Sequence, residues 1–377
     1  MIRNFDKFDL FNKFGGGGGV YVPHPLVKLP LVEDLRLDFG AGSATFTRST
    51  TGTYIDRLDG LLKTAAIDVA RFETNGVLIE GASTNEALHN RDFTNAAHVK
   101  TNIAAAKDAT GVDGVVNSAS TITATASNGT SFQTIIKSSA QNTYSIDIRR
   151  KTGAGIIEIT DDGGGSYTDV TASINSTSFT RLSITTTQAN PSIGVRIVTS
   201  GDELEVDYAG LEELPFESSR IPTTSTAVTR ASDNLSIDAG NIPDPTADYS
   251  VSALVDILGV NSTTQRVMKV AGEVNRAMSA QQSGFVSAFN GSISIFKAPV
   301  VAEAEKLGLT IDTTDALNGF KLYRGGLFEA EAAITNATGS KTKIDIGSDG
   351  GSAFLFGHIK DFRTYNVALD AAQVRSL

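Results

Sequence analysis

The 377-residue chain carries 42 acidic against 32 basic residues, a formal charge of −10, and neither cysteine nor tryptophan. That balance argues against a nucleic-acid grip, which needs clustered Lys and Arg to neutralise phosphates, and the missing thiols exclude disulfide frameworks, thiolate metal sites and cysteine nucleophiles. The length suits two domains of ordinary size with residues to spare, and abundant Gly, Ser, Thr, Ala and Asn between turn dipeptides favours β-sandwiches over helical bundles.

Residues 1–38 read as an arm. Phe5, Phe8, Phe11 and Phe14 recur at every third position of MIRNFDKFDLFNKF. A helix this short is marginal in water, so four phenylalanines on it need a partner surface. Arg3, Lys7 and Lys13 are offset by Asp6 and Asp9, which points to a protein groove, since a membrane-surface helix prefers an excess of basic residues. Gly15 to Gly19 form a tether; Pro23, Pro25 and Pro30 predict an extended or polyproline strap after it. Charges among the phenylalanines speak against a secretory signal, and no apolar run approaches the roughly 18 residues of a membrane span.

Residues 39–90 read as an extended shoulder, with short strands predicted over 44–48, 53–56 and 76–80 and turns at Thr51-Gly52, Asp59-Gly60 and Asn75-Gly76. Such strands carry too little apolar surface to fold alone. They are expected to pack on the sandwich that follows, or on a neighbouring copy, through Phe46, Tyr54, Phe72, Leu78 and Ile79.

The same stretch holds ordered blocks: Phe46-Thr47-Arg48, Thr53-Tyr54-Ile55-Asp56, residues 59–66, Arg71-Phe72 and residues 76–85, GVLIEGASTN. Together they resemble the opening segment of phage head-spike and tail-fibre proteins. The resemblance implies a virion structural protein at the particle surface, docked on other virion proteins by its arm and homo-oligomeric, with a trimer expected by analogy with fibres.

From 91 to 215, alternation recurs over 120–126, 144–149, 156–160, 179–185 and 193–198, with Gly and Asn punctuation between. This predicts a sandwich or jelly roll with little helix. The block from Asp92 to His98 and the closing block from Gly201 to Leu214 resemble the carbohydrate-binding-module-like jelly roll of the same family, which implies glycan recognition. His98 stands where that family commonly has Trp, so the candidate stacking residues are Tyr144 and Tyr167 here and Tyr323 in the second module. Glu203, Glu205, Asp207, Glu212 and Glu213 read as a solvated strand face. Asp161 and Asp162, before three glycines, are candidate calcium ligands, with a polar hairpin loop as the alternative.

Residues 216–235, FESSRIPTTSTAVTRASDNL, read as a linker. Strands are predicted in 236–377 over 249–258, 265–270, 284–290, 292–296, 306–311, 319–323 and 326–330. The final stretch from Phe356 to Val374 resembles the closing strand and short helix of concanavalin-like and laminin-G-like sandwiches. Ile359 and Phe362 should point inward and Asp370 should cap a helix over 371–376.

The four histidines, at 24, 89, 98 and 358, are scattered, and no nucleophile elbow, phosphate loop or dinucleotide fingerprint occurs. The expected protein is therefore all-β, an arm followed by two sandwiches, and acts in adsorption to host-surface glycans without catalysis or cofactor. Two alternatives stand beside it: a purely structural capsid decoration or tail connector, and a polysaccharide depolymerase, since a glycosidase needs only two carboxylates.

Overall fold

The computed structural model describes residues 20–41, 43–241, 244, 246–260, 264–271, 277–280, 285–289, 294–299, 305–334 and 341–377. The expected anchors Phe5, Phe8, Phe11 and Phe14 lie outside the described residues. The fold is all-β, with one α-helix among the described residues, Ala371–Ser376.

The first sandwich is built from strands between Val99 and Glu212. One sheet runs in the order Thr180–Gln188, Ala140–Thr152, Glu203–Glu212, Ala119–Ala124, Ile103–Ala109. The other runs Thr168–Asp169, Ile157–Thr160, Ser192–Ile197, Gly129–Thr134, Val99–Thr101. Alternate residues such as Ile146, Ile148, Ile157, Ile159, Val195 and Val206 point between the sheets and are buried, as a period of two demands.

The second sandwich is larger than the sequence suggested. Its one sheet, eight-stranded among the described residues, has the path Leu327–Ala332, Phe320–Arg324, Glu305–Ile311, Tyr249–Gly259, Phe356–Tyr365, Gly76–Ile79, Arg71–Glu73, and Val27–Leu29 also pairs with Phe356–Tyr365. The facing sheet begins with Thr45–Thr47 and Asn234–Asp238, continues through Lys343–Ile346 and Gln265–Ala271, and ends at Ser294–Pro299.

This corrects the expected division. The shoulder strands Thr45–Thr47, Arg71–Glu73 and Gly76–Ile79 join the second sandwich, while Ala87 enters the core of the first and Asn85 bonds to Ala209 and Leu211 there, and 236–377 is not a complete sandwich. Four strands drawn from 27–79 complete it, and the strap that the prolines predicted is itself partly a strand. The physical reason is burial: Leu29, Phe46, Val77 and Ile79 enter the core of the second sandwich, each gaining about 1.5–3 kcal/mol from removal from water. Phe72 packs partly against that core.

Gly76 makes the pairing possible. It closes the hairpin with φ +122°, and a Cβ there would collide with the Ile359 carbonyl on the neighbouring strand, so only glycine fits. At the other end, Asp370 caps the helix as predicted: its carboxylate accepts from Gln373 N at 2.9 Å while the Gln373 side chain accepts from Asp370 N at 2.9 Å.

Candidate functional site

The blocks that carry the resemblance converge on the junction between the two sandwiches. Arg48, Arg71 and Arg230 are each at most 2% exposed and surround Asp233 and Glu80, both fully buried. Asp233 takes Arg48 Nη1 on one oxygen at 3.1 Å and Arg71 Nη2 on the other at 2.5 Å. Glu80 takes Arg71 Nη1 at 2.7 Å and the backbone N–H of Ser219 at 2.7 Å. Burial alone would raise the Glu80 pKa, but Arg230, Arg71 and Ser219 outweigh it and hold the carboxyl at about 2. Asn85 is satisfied on both sides, donating to Ala209 O and Ile221 O and accepting from Ala87 N and Leu211 N.

A second polar layer lies in the first sandwich. Asp147 is fully buried and takes a two-pronged contact from Arg220, at 2.5 and 2.6 Å, with Arg181 at 3.4 Å. Asp207 is held by Arg91 at 2.8 and 3.0 Å, and Glu212 accepts from the hydroxyls of Ser83 and Ser218. The acidic run was expected to face solvent, and Glu213 does, yet Asp207 and Glu212 are buried and Glu203 and Glu205 half-buried. The error has a physical cause: their cationic and hydroxyl partners come from distant segments, which strand periodicity does not reveal.

Between the layers opens a cleft of about 210 Å³. The hairpin of Gly52–Ile55 and Leu62–Ala65 supplies Tyr54; the edge strand Arg71–Glu73 supplies Glu73; the linker supplies Phe216, Glu217, Ser219 and Arg220; the first sandwich supplies Arg181. Phe216 is fixed edge-on against Phe356 at 5.1 Å, and Gly259 is required beneath it because a Cβ would enter the Phe216 ring. Half-buried rings beside carboxylate, hydroxyl and guanidinium groups can stack on an apolar face and hydrogen-bond its polar edge.

Two carboxylates of the cleft, Glu73 and Glu80, are engaged by partners, and Glu217 is engaged on one oxygen. Glu73 accepts from Ile55 N at 2.7 Å on one oxygen and stands 3.0 Å from His358 Nε2 on the other, while His358 Nδ1 lies 3.1 Å from Asp256. Glu80 stays ionised. The Glu217 carboxylate accepts from Ser183 at 2.7 Å.

The three tyrosines singled out by sequence lie elsewhere. Tyr144 is 1% exposed and part of the first core, and burial pushes its hydroxyl pKa up. Tyr323 is 3% exposed, with its ring edge to Phe328. Tyr167 is half-buried with one face covered by Arg196, 3.6 Å from the ring centre. None of them lines the cleft, so the expectation that Tyr144 and Tyr323 offer a free ring face is overturned by burial. Sequence reasoning missed Phe216, placed in a linker, and gave Tyr54 a packing role.

Asp161 and Asp162 form the polar loop that was the alternative to a calcium site. Asp162 accepts from Thr160, Gly164 and Ser166, and Asp161 from the Thr186 hydroxyl. Among the described residues no group of three or more His, Asp or Glu is placed to hold a metal ion. His98 is a core residue, stacked on Phe93 at 4.2 Å.

Comparison with protein families and with curated proteins finds no match. Among solved structures, a Trypanosoma rangeli sialidase in complex with the inhibitor DANA is similar over 38% of this chain and 25% of its own, at 14% identity and TM-score 0.32. The CBM40 of a Ruminococcus gnavus IT-sialidase is similar over 35% of this chain and 82% of its own, at 13% identity and TM-score 0.28. The receptor-binding domain of a botulinum neurotoxin C/D mosaic serotype is similar over 38% and 40%, at 13% identity and TM-score 0.32.

Proposed function

We propose that this protein is a phage or phage-like virion accessory protein, a head spike or tail fibre, that contacts host-surface glycans through the cleft at the junction of its sandwiches. The observation that carries the reading is the cleft itself: Tyr54 and Phe216 stand beside Glu217, Ser219 and Arg181, the pairing of ring faces with hydrogen-bonding groups that a pyranose needs. The virion assignment rests on the blocks from Phe46 to Asn85, and the same blocks build the cleft's walls. The arm docks the protein on the particle, and several copies together turn weak single-site contacts into avidity. Glu80 held as a carboxylate and Glu73 engaged on both oxygens favour binding without hydrolysis.

The test is a glycan array probed with the multivalently displayed full-length protein, with host polysaccharide incubated in parallel. Binding to a defined glycan class with no change in polymer size is expected. Silence at high avidity would favour the structural decoration or connector reading, which the buried ionic junction also suits; shortened polymer would favour a depolymerase.

A further inference from the structure

The described chain begins at Val20, against the C-terminal helix. Tyr21 O accepts Gln373 Nε2 at 3.0 Å, and Val22 packs on the cluster of Tyr323, Tyr365, Leu369 and Val374. Beside this contact runs a groove of about 390 Å³ whose floor is Tyr323 and Leu369 and whose walls include Phe328, Ala368 and Ala371. Phe328 is 48% exposed and its neighbour Leu327 52%, two large apolar side chains left uncovered at one end of the second sandwich. The rim is acidic: Asp312, Glu331 and Asp370 against Lys321.

We propose that this groove is the intramolecular docking site of the chain's own N-terminal segment, taking Phe11 and Phe14. Three observations select this occupant. Phe14 is seven residues from Tyr21, so an extended chain reaches at most about 25 Å and a Gly-rich one averages about 15 Å, and Tyr21 is bonded to the helix that forms one side of the groove. Lys13, between Phe11 and Phe14 in the sequence, carries the charge that complements the acidic rim. A tether of five glycines sets a local concentration in the millimolar range, so a modest intrinsic affinity fills the site in cis. Phe5 and Phe8, farther from the tether, are left for the particle, so the segment is held near its own sandwich while still presenting an anchor.

Hydrogen exchange on the full chain tests this. Wild type is compared with Phe11→Ser/Phe14→Ser and, separately, with Phe328→Asp at the exposed groove wall. Amides of 320–328 and 367–374 are expected to exchange about tenfold faster in both variants, with the first sandwich unchanged. A synthetic peptide of residues 5–14 should restore protection to the Phe11→Ser/Phe14→Ser variant and not to Phe328→Asp. Equal exchange in all three proteins would overturn the proposal. So would protection that disappears on dilution together with a halved mass in light scattering, since the occupant would then come from a second copy.

Discussion

Arg48 and Asp233, 185 positions apart in the chain, meet at 3.1 Å with neither side chain exposed. The second oxygen of Asp233 receives Arg71 and the Glu80 backbone N–H, so one carboxylate ties three segments of the shoulder to the start of the second sandwich. Removing it leaves two guanidinium groups buried without their main partner.

The first prediction is that Asp233→Asn destabilises the protein by about 3–5 kcal/mol. The exposed Asp238→Asn should stay within about 0.5 kcal/mol of wild type. Urea denaturation of the full chain measures both. Similar midpoints for the two variants would show that the junction is not held by this carboxylate.

Two buried histidines set opposite limbs of the pH profile. Burial lowers the His358 pKa, but hydrogen bonds to Asp256 and Glu73 outweigh it and raise it to about 9. The folded state then holds a proton that the unfolded chain gives up near 6.5, so this contribution is fully present below about pH 6.5 and lost as pH rises through about 9, on the order of 3 kcal/mol. His98 is the reverse. Desolvation lowers it to about 4, so the unfolded chain binds the extra proton first and stability falls as pH drops from about 6.5 toward 4. Stability measured against pH should show both limbs, and His358→Gln should flatten only the alkaline one.

The Lys100 side chain gathers the backbone carbonyls of the loop before it. Its ammonium donates to the carbonyls of Phe93, Asn95 and His98 at 3.0, 3.1 and 2.8 Å. Lys100→Met should cost about 1–3 kcal/mol by orphaning those oxygens, with faster exchange confined to 92–98. A chelator should leave the wild-type Tm unchanged. A fall in Tm on chelation would mean that a metal, not the lysine, organises this region or another loop.

Much of the fold was legible from local pattern. The strands over 144–149 and 193–198, the inward Ile359 and Phe362, and the Asp370 cap all appear where periodicity and capping chemistry put them. What failed was partnership across long sequence separation. Nothing in GVLIE states that Val77 pairs with Ile359, 282 positions later, and a period of two says which face is buried without saying against what. For the same reason Asp207 and Glu212 read as surface acids until Arg91, Ser83 and Ser218 arrived from elsewhere. The tyrosines were chosen by residue type alone; exposure decided against two of them, and Tyr54 and Phe216 were placed in the cleft by the same junction that local pattern could not see.

The most direct test of the cleft is the affinity of a glycan selected on the array for wild type, Tyr54→Ala and Tyr167→Ala, each first confirmed to unfold at the wild-type urea midpoint. Tyr54→Ala is expected to bind at least about tenfold more weakly, a loss of roughly 1.4 kcal/mol, while Tyr167→Ala binds as wild type does. Unchanged affinity in Tyr54→Ala, or a loss confined to Tyr167→Ala, would contradict a glycan site at the junction.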